Sequence, residues 1–272
     1  MRAAHIVGPV ARHIDESALV KTVGFPATLI HGDTAMLDRW LWLKKHLPKT
    51  NNEDRLLDVG CGSGAYVIGA ALRGYEALGL DWSERNVRVA QDRARICNAH
   101  GAHFEAMDAR RLDTRPDFRK AFDIVVCLET IEHILDDRKL MADISACLKP
   151  GARLLLSTPQ LYYRAITSGD NGPWLPVETG DHVRRGYTPA MLKELCDLVG
   201  LVPEEITYVT GFLSQKVTFA LRKLSQANHV FGWAATLPLR LAPPTLDRVV
   251  TPLFDWPLYS ICLEAYKPRY AG

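Results

Sequence analysis

The chain has 272 residues, 47% hydrophobic, 24% charged and 8% aromatic, and its 33 Lys and Arg against 31 Asp and Glu leave a formal charge of +2. That balance excludes disorder, a collagen-like repeat and a disulfide-stapled mini-protein, and it gives no strong field for nucleic acid or an anionic membrane. A chain this long buries roughly 70–75% of its unfolded surface, so the core needs no covalent staples. Residues 36–46 (MLDRWLWLKKH) place apolar side chains at helical spacing, which predicts an amphipathic helix in an N-terminal helical cover over 1–54. Pro48 and the polar run 51–54 mark its end.

From Arg55 the pattern alternates. A short apolar strand ends in glycine at 60, and a helix over 65–73 stops at Gly74. A second strand follows at 75–81; Ser83 caps a helix to about Ala99, closed by Gly101. Strands are predicted at 103–108, 122–129 and 152–159, with a helix at 136–148 before Pro150-Gly151. Residues 160–187, rich in Gly, Pro, Tyr and Trp, read as a long loop or lid carrying Tyr162, Tyr163, Trp174 and Tyr187. Thr188 and Pro189 open a helix to Leu198, and 204–212 and 259–267 read as two more strands. Between these lies an apolar, proline-broken insertion, 217–258. Apolar strands alternating with helices give a doubly wound, Rossmann-like, mostly parallel α/β sheet covered on both faces. The division expected is a cover at 1–54, a core at 55–216, the insertion at 217–258, and a last strand and tail at 259–272.

Ligands in such sheets bind beyond the carboxyl ends of the strands. The residues found there are the glycine-rich turn DVGCGSG at 58–64, Asp81, Asp108 and the stretch ETIEH at 129–133. Gly60, Gly62 and Gly64 let the backbone approach a ligand at a helix N-terminus. Gly60, Gly62 and Ala65 also satisfy the dinucleotide pattern, so a nicotinamide-dependent oxidoreductase is one alternative. Asp58, on the strand before the first glycine, suits an amino-bearing ligand better than a pyrophosphate. Asp81 is 21 residues after Gly60, where a carboxylate can accept both hydroxyls of a ribose, and Asp108 is placed for the amine of an adenine. Glu129, Glu132 and His133 converge if their segment is helical, and carboxylate oxygens suit a hard divalent ion such as Mg2+.

With DVGCGSG, GLDWS, MDA and VVCLETIEHI in order, the chain resembles the class I S-adenosylmethionine-dependent methyltransferases over about 55–212. The resemblance implies a seven-stranded sheet with an antiparallel C-terminal hairpin. It also implies S-adenosyl-L-methionine as cofactor, with Asp58 near its methionine amino group, the glycines beneath it, Asp81 on the ribose, and Asp108 with Ala109 at the adenine. Cys61, Trp82 and Leu128 complete the expected cofactor-binding set. The Glu-x-x-Glu-His stretch resembles the ubiquinone-pathway O-methyltransferases and the small-RNA 2′-O-methyltransferases. Both imply metal-assisted O-methylation, with Glu129, Glu132, His133 and, by analogy with the second group, His182 as metal ligands, and Glu129, His133 and His182 as catalytic candidates. A metal-free site, in which one carboxylate caps the turn and the histidine packs or acts as base, is the plainer alternative.

The acceptor expected is a hydroxyl on a small or lipid-like molecule. RNA methylation and a non-catalytic scaffold remain as alternatives; no nucleic-acid partner is expected. The insertion reads as a membrane-surface element or greasy pocket wall, or else as an extra helical layer or homodimer interface. The N-terminal twenty residues lack a sustained apolar stretch, no 18-residue apolar run occurs, and none of the six cysteines forms a Cys-x-x-Cys pair. A cytoplasmic location, at most peripheral to a membrane, is therefore expected, with reduced thiols and no zinc site.

Overall fold

A computed structural model describes residues 17–32, 34–50, 53–241 and 243–269; the first sixteen residues of the expected cover lie outside it. The strands are β1 (Arg55–Val59), β2 (Glu76–Asp81), β3 (Ala102–Ala106), β4 (Phe122–Leu128), β5 (Leu148–Pro159), β6 (Val202–Val209) and β7 (Ser260–Tyr266). They form one sheet in the order β3-β2-β1-β4-β5-β7-β6. The strands from β1 to β5 pair in parallel, and β7 runs antiparallel to both β5 and β6. Strand order reverses between β1 and β4, so the ligand crevice is expected beyond their carboxyl ends.

The helices are α1 (Ala18–Val23), α2 (Phe25–Ile30), α3 (Thr34–His46), α4 (Ala65–Ala71), α5 (Glu84–Ile96), α6 (Asp137–Cys147), α7 (Pro189–Leu198), α8 (Phe212–Ala227), α9 (His229–Thr236) and α10 (Pro243–Leu253). Local chemistry sets where several begin. The Ser83 hydroxyl accepts from the Asn86 amide at 3.4 Å, and α5 carries Glu84 in its first turn and Arg93 and Arg95 in its last, as the helix dipole favours. Asp136 caps α6 through the Lys139 amide at 2.9 Å, and Thr188 caps α7 through Met191 at 3.2 Å, with Pro189 in its first turn.

Successive side chains of a strand point to opposite faces. Leu57, Val125, Leu154 and Leu263 therefore pack in one core with α6 and α7, while their neighbours Leu56, Val126, Leu155 and Cys262 pack in another beneath α3 and α4. Trp40 of α3 presses on α4 at Gly69, where an added Cβ would meet the indole at 2.3 Å. That contact packs α3 against α4.

The expected amphipathic helix starts at Thr34 rather than 36, and the helical segment between the last two strands starts at Phe212, ahead of 217. It forms a layer against α3, with Arg240 buried and donating to the carbonyls of Ile30 at 2.5 Å and Gly32 at 2.6 Å. Phe231, Leu246, Val249, Leu253 and Phe254 of this layer and the turn after it are exposed. All six cysteines are free, and five are buried. Among the described residues, no helix is long and apolar enough to cross a membrane.

Candidate active site

The glycine-rich turn grows out of β1. The amides of Gly60 and Cys61 both donate to the Leu80 carbonyl, at 2.9 and 2.8 Å, which lays the turn across the end of β2. Gly60 has φ 84°, and a Cβ there would strike the Thr130 hydroxyl at 2.2 Å. Only glycine fits that approach. Beside the turn, Asp81 is buried and held in place: its carboxylate accepts from the amides of Gly62 and Ser83, each at 2.9 Å, and from the Asn86 side chain at 3.1 Å.

A cleft of about 260 Å³ opens above these strand ends. Of the residues predicted to bind cofactor, Gly60, Asp81, Trp82, Asp108 and Ala109 line it, and so do Glu129 and His133. Gly62 and Gly64 shape the turn behind it, both with positive φ. Cys61 and Leu128 differ from expectation: their side chains are buried in the core under α3 and α4, because they fall on the inward-facing side of the turn and strand.

Asp58 lies beneath the cleft, 1% exposed, with Oδ2 lacking any hydrogen-bond partner. Burial, with the Asp81 charge adding, pushes its carboxyl up to about 8. An orphaned buried carboxylate is costly unless a cation meets it, so the site has the chemistry to take an ammonium. Asp108 is in a different state. Its carboxylate accepts from the Arg110 amide at 2.9 Å and pairs with the Arg110 guanidinium, which holds its pKa below the usual range. Arg110 also pairs with Glu178 from the 160–187 loop, so it bridges the two sides of the cleft mouth.

The condition set for convergence of Glu129, Glu132 and His133, a helical segment, holds only in part. Glu129 takes φ 50°, and only a single turn, Ile131–His133, is helical. The Glu129 carboxylate stays near Glu132 and lines the same small cavity, but it is engaged elsewhere. Its oxygens are instead held by the Ser157 hydroxyl at 2.9 Å and Arg39 at 3.1 Å. Convergence arises differently, through the loop. The Val183 amide donates to the Glu132 carbonyl at 3.0 Å, and this seats His182 edge-on to His133 with ring centroids 4.6 Å apart. One ligand atom each from Glu132, His133 and His182 lie within 4.8 Å of one another.

Glu132 is fully buried. Thr158 donates to its Oε2 at 3.1 Å, while Oε1 has no hydrogen bond and stands 3.9 Å from His182 Nε2. Burial and the neighbouring Glu129 charge raise its pKa well above the carboxylate range. His133 Nδ1 is likewise buried without a partner. Burial, with His133 adding, lowers His182 to about 4. These three side chains fit a divalent ion; Glu129, already paired twice, is outside the set.

A second cavity of about 180 Å³ lies on the other side of Glu129 and Glu132, lined also by Arg39, His182, Arg222 and Tyr259. None of the four loop aromatics lines the cleft. Tyr163 and Tyr187 are buried, the first packed on Tyr259 and the second donating to Asp137 at 2.8 Å. The sequence reading missed Thr130, Arg110, Glu178 and the walls of the second cavity. Thr130 and Arg110 sit inside or beside the quoted motifs, so proximity could have flagged them. Arg39, Glu178, Arg222 and Tyr259 come from four separated segments and carry no local signal.

The family model described as "Methyltransferase domain" matches residues 37–206, which is more than half of the chain. The chain belongs to this methyltransferase family. It is an S-adenosylmethionine-dependent methyltransferase, and the alternative of an oxidoreductase falls with that. Among its relatives is the ubiquinone biosynthesis O-methyltransferase of Leptothrix cholodnii, 30% identical over 165 residues, covering 59% of this chain and 68% of that one. The fold is shared with Haemonchus contortus phosphoethanolamine N-methyltransferase 2, solved with S-adenosyl-L-methionine, at TM-score 0.61 and 18% identity over 94% of this methyltransferase and 60% of that chain. It is also shared with geranyl diphosphate C-methyltransferase from Streptomyces coelicolor, at TM-score 0.58 and 18% identity over 84% and 75%. Nitrogen and carbon acceptors on one fold mean that the acceptor must be argued from the site.

Proposed function

We propose that this methyltransferase moves the sulfonium methyl group to a hydroxyl oxygen of a small or lipid-like molecule, assisted by a divalent cation at Glu132, His133 and His182. One observation carries the reading: these three side chains converge, with unpaired buried ligand atoms on two of them, between the cofactor cleft and the second cavity. In the cofactor half, Asp81 would accept the ribose hydroxyls and Asp58 the methionine ammonium. Asp108 and Ala109 would border the adenine, with Arg110 yielding part of the Asp108 carboxylate.

The sulfonium is already electrophilic, so alignment does most of the work and the hydroxyl proton is the remaining barrier. An imidazole with its pKa lowered to about 4, as His182 has, makes a poor proton acceptor at neutral pH but offers a free lone pair there. That favours His182 as a ligand over His182 as a base. When bound, a divalent cation lowers the pKa of a coordinated hydroxyl. The sequence pointed to Mg2+, but two imidazoles and one carboxylate suit Mn2+, Fe2+ or Zn2+ better.

The second cavity, at about 180 Å³, is close to the roughly 150 Å³ that holds one benzene ring, which supports a ring-borne hydroxyl as acceptor. The relatives named for ubiquinone biosynthesis are O-methyltransferases, in keeping with that choice. The exposed apolar side chains of the insertion support a lipid-like acceptor, and the same face would serve peripheral contact with a bilayer or a second copy of the chain. Liposome co-sedimentation and light scattering separate those two uses. The central test is dialysis against EDTA, then restoration with Mn2+, Zn2+ or Mg2+ while product is followed by NMR. Loss and recovery of an O-methyl product is expected. Undiminished turnover after chelation removes the metal, and methyl on nitrogen or carbon removes the acceptor assignment.

A further inference from the structure

A third cavity, of about 490 Å³, shares no lining residue with either of the two already described. It lies over the edge strand β6, between α3 and α10. One face of α3 builds its inner wall: Asp38, Leu41, Trp42, Lys45 and His46 follow the i, i+3, i+4 rhythm of a single helical stripe. A plain packing face would present apolar groups here. This one presents polar atoms without partners: Asp38 Oδ2, Trp42 Nε1 and Thr207 Oγ1 are buried and lack a partner at hydrogen-bond distance, with the Ser214 and Thr210 hydroxyls set beside the Asp38 carboxyl. Buried polar atoms are paired in the great majority of cases, so three such atoms around one cavity call for a ligand.

The charge is layered. At depth stand two carboxylates. Asp247 is buried, and its oxygens accept from the amides of Leu213 at 2.6 Å and Ser214 at 3.0 Å. Asp38 is 7% exposed, with one oxygen unpaired. Burial raises it to about 7, with the Asp247 charge adding and the Ser214 and Thr210 hydroxyls and the Arg39 charge opposing. The basic side chains of the lining, Lys45 and Arg248, are exposed at the rim. Trp42 and Tyr208 contribute aromatic surface, which attracts an organic cation as the carboxylates do.

We propose that the cavity between α3, β6 and α10 is a second ligand site, separate from the methyl-transfer centre, that takes a small organic ammonium drawn to Asp38 and Asp247. The ammonium would meet the unpaired Asp38 oxygen, and its hydrocarbon part would lie along Trp42, Leu41 and Leu258. No step of methyl transfer passes through these residues.

The test is calorimetric titration of the full chain, saturated with S-adenosylhomocysteine, with phenethylamine, pentylamine and the neutral 2-phenylethanol. At least one amine is expected to bind ten times more tightly than the alcohol and to shift the Trp42 indole N–H resonance. Asp38→Asn is expected to weaken the amine tenfold or more while leaving S-adenosylhomocysteine affinity unchanged. If that variant does not fold, the Trp42 resonance in the unsubstituted protein decides. Absence of binding by both amines, equal binding of amine and alcohol, an unmoved Trp42 signal, or an Asp38→Asn protein that binds amine as before would each overturn the proposal.

Discussion

The two halves of this sheet hold their polar groups in different ways. In the cofactor half, Asp81 and Asp108 are satisfied by donors a few residues away in the chain or on the adjoining turn: Gly62, Ser83, Asn86 and Arg110. In the half around β5 to β7, Glu132 is held by Thr158 with His182 standing 3.9 Å away, and Glu129 by Ser157 and Arg39, from segments far apart in sequence. Unpaired atoms occur on both sides, at Asp58 beneath the cofactor cleft and at Glu132 and His133 beside the loop. A short motif can build and satisfy a rigid cofactor cradle locally. A catalytic cluster assembled from distant segments keeps open valences for what it must bind.

The contrast breaks most visibly at the cluster. Glu132→Gln or His182→Ala should lower turnover by about two orders of magnitude or more while S-adenosylhomocysteine affinity stays the same. Parallel kinetics and calorimetry check this, and a loss of affinity equal to the loss of rate would mean that the two halves are not separate. Asp81→Ala acts in the opposite half. Losing charged hydrogen bonds to a ribose should weaken S-adenosylhomocysteine by about 1–3 kcal/mol, seen by calorimetry, and unaltered binding would remove Asp81 from the cofactor site.

Asp58 sharpens the comparison through pH. With its carboxyl at about 8 against an ordinary 3.8, it is protonated at pH 7 in the empty site. Between those two values the unfolded chain loses that proton and the folded chain keeps it, so Asp58 lowers folding stability as pH rises and adds nothing further above about 8. Binding an ammonium there expels the proton, so S-adenosylhomocysteine affinity should rise with pH toward 8, until the ligand's own amino group deprotonates. Titrations from pH 6 to 8 in two buffers of different ionisation enthalpy detect the released proton; Asp58→Asn should abolish that release.

The smallest effect is expected at the bridge between the halves. Glu178 accepts from the Leu135 amide at 2.6 Å and pairs with Arg110 across the cleft mouth. Because Arg110 is nearly half exposed, Glu178→Gln should change stability by about 1 kcal/mol or less. It should raise the Michaelis constant for the cofactor severalfold by loosening the loop, with kcat little altered. A steep fall in kcat instead would place the loop in the chemistry.

Strand–helix alternation and the cofactor motifs were legible because each is written in consecutive residues. Period-two apolar strands, Ser83 and Thr188 as caps, and glycines at positive φ all act within a few positions. The turn at 129–133 was legible as a site but not in its geometry. Convergence of Glu129, Glu132 and His133 was tied to a helix; only Ile131–His133 is helical, and Glu129 is engaged by Ser157 and Arg39 instead. His182 was named by resemblance. Its approach to Glu132 and His133 rests on the Val183 amide and on a loop with little regular structure.

The sequence by itself determined the layered α/β architecture, the glycine turn and the acidic residues at the ends of β1 to β3, because short-range sterics, capping and alternating burial specify them without help from the rest of the chain. Only the tertiary structure decided which carboxylates stay unpaired, that Glu129 is spent on Arg39 and Ser157, and that α3, the 160–187 loop and the helical insertion wall the remaining cavities. Those outcomes depend on contacts between residues tens to hundreds of positions apart, where burial and charge are properties of the packed molecule and of no single segment.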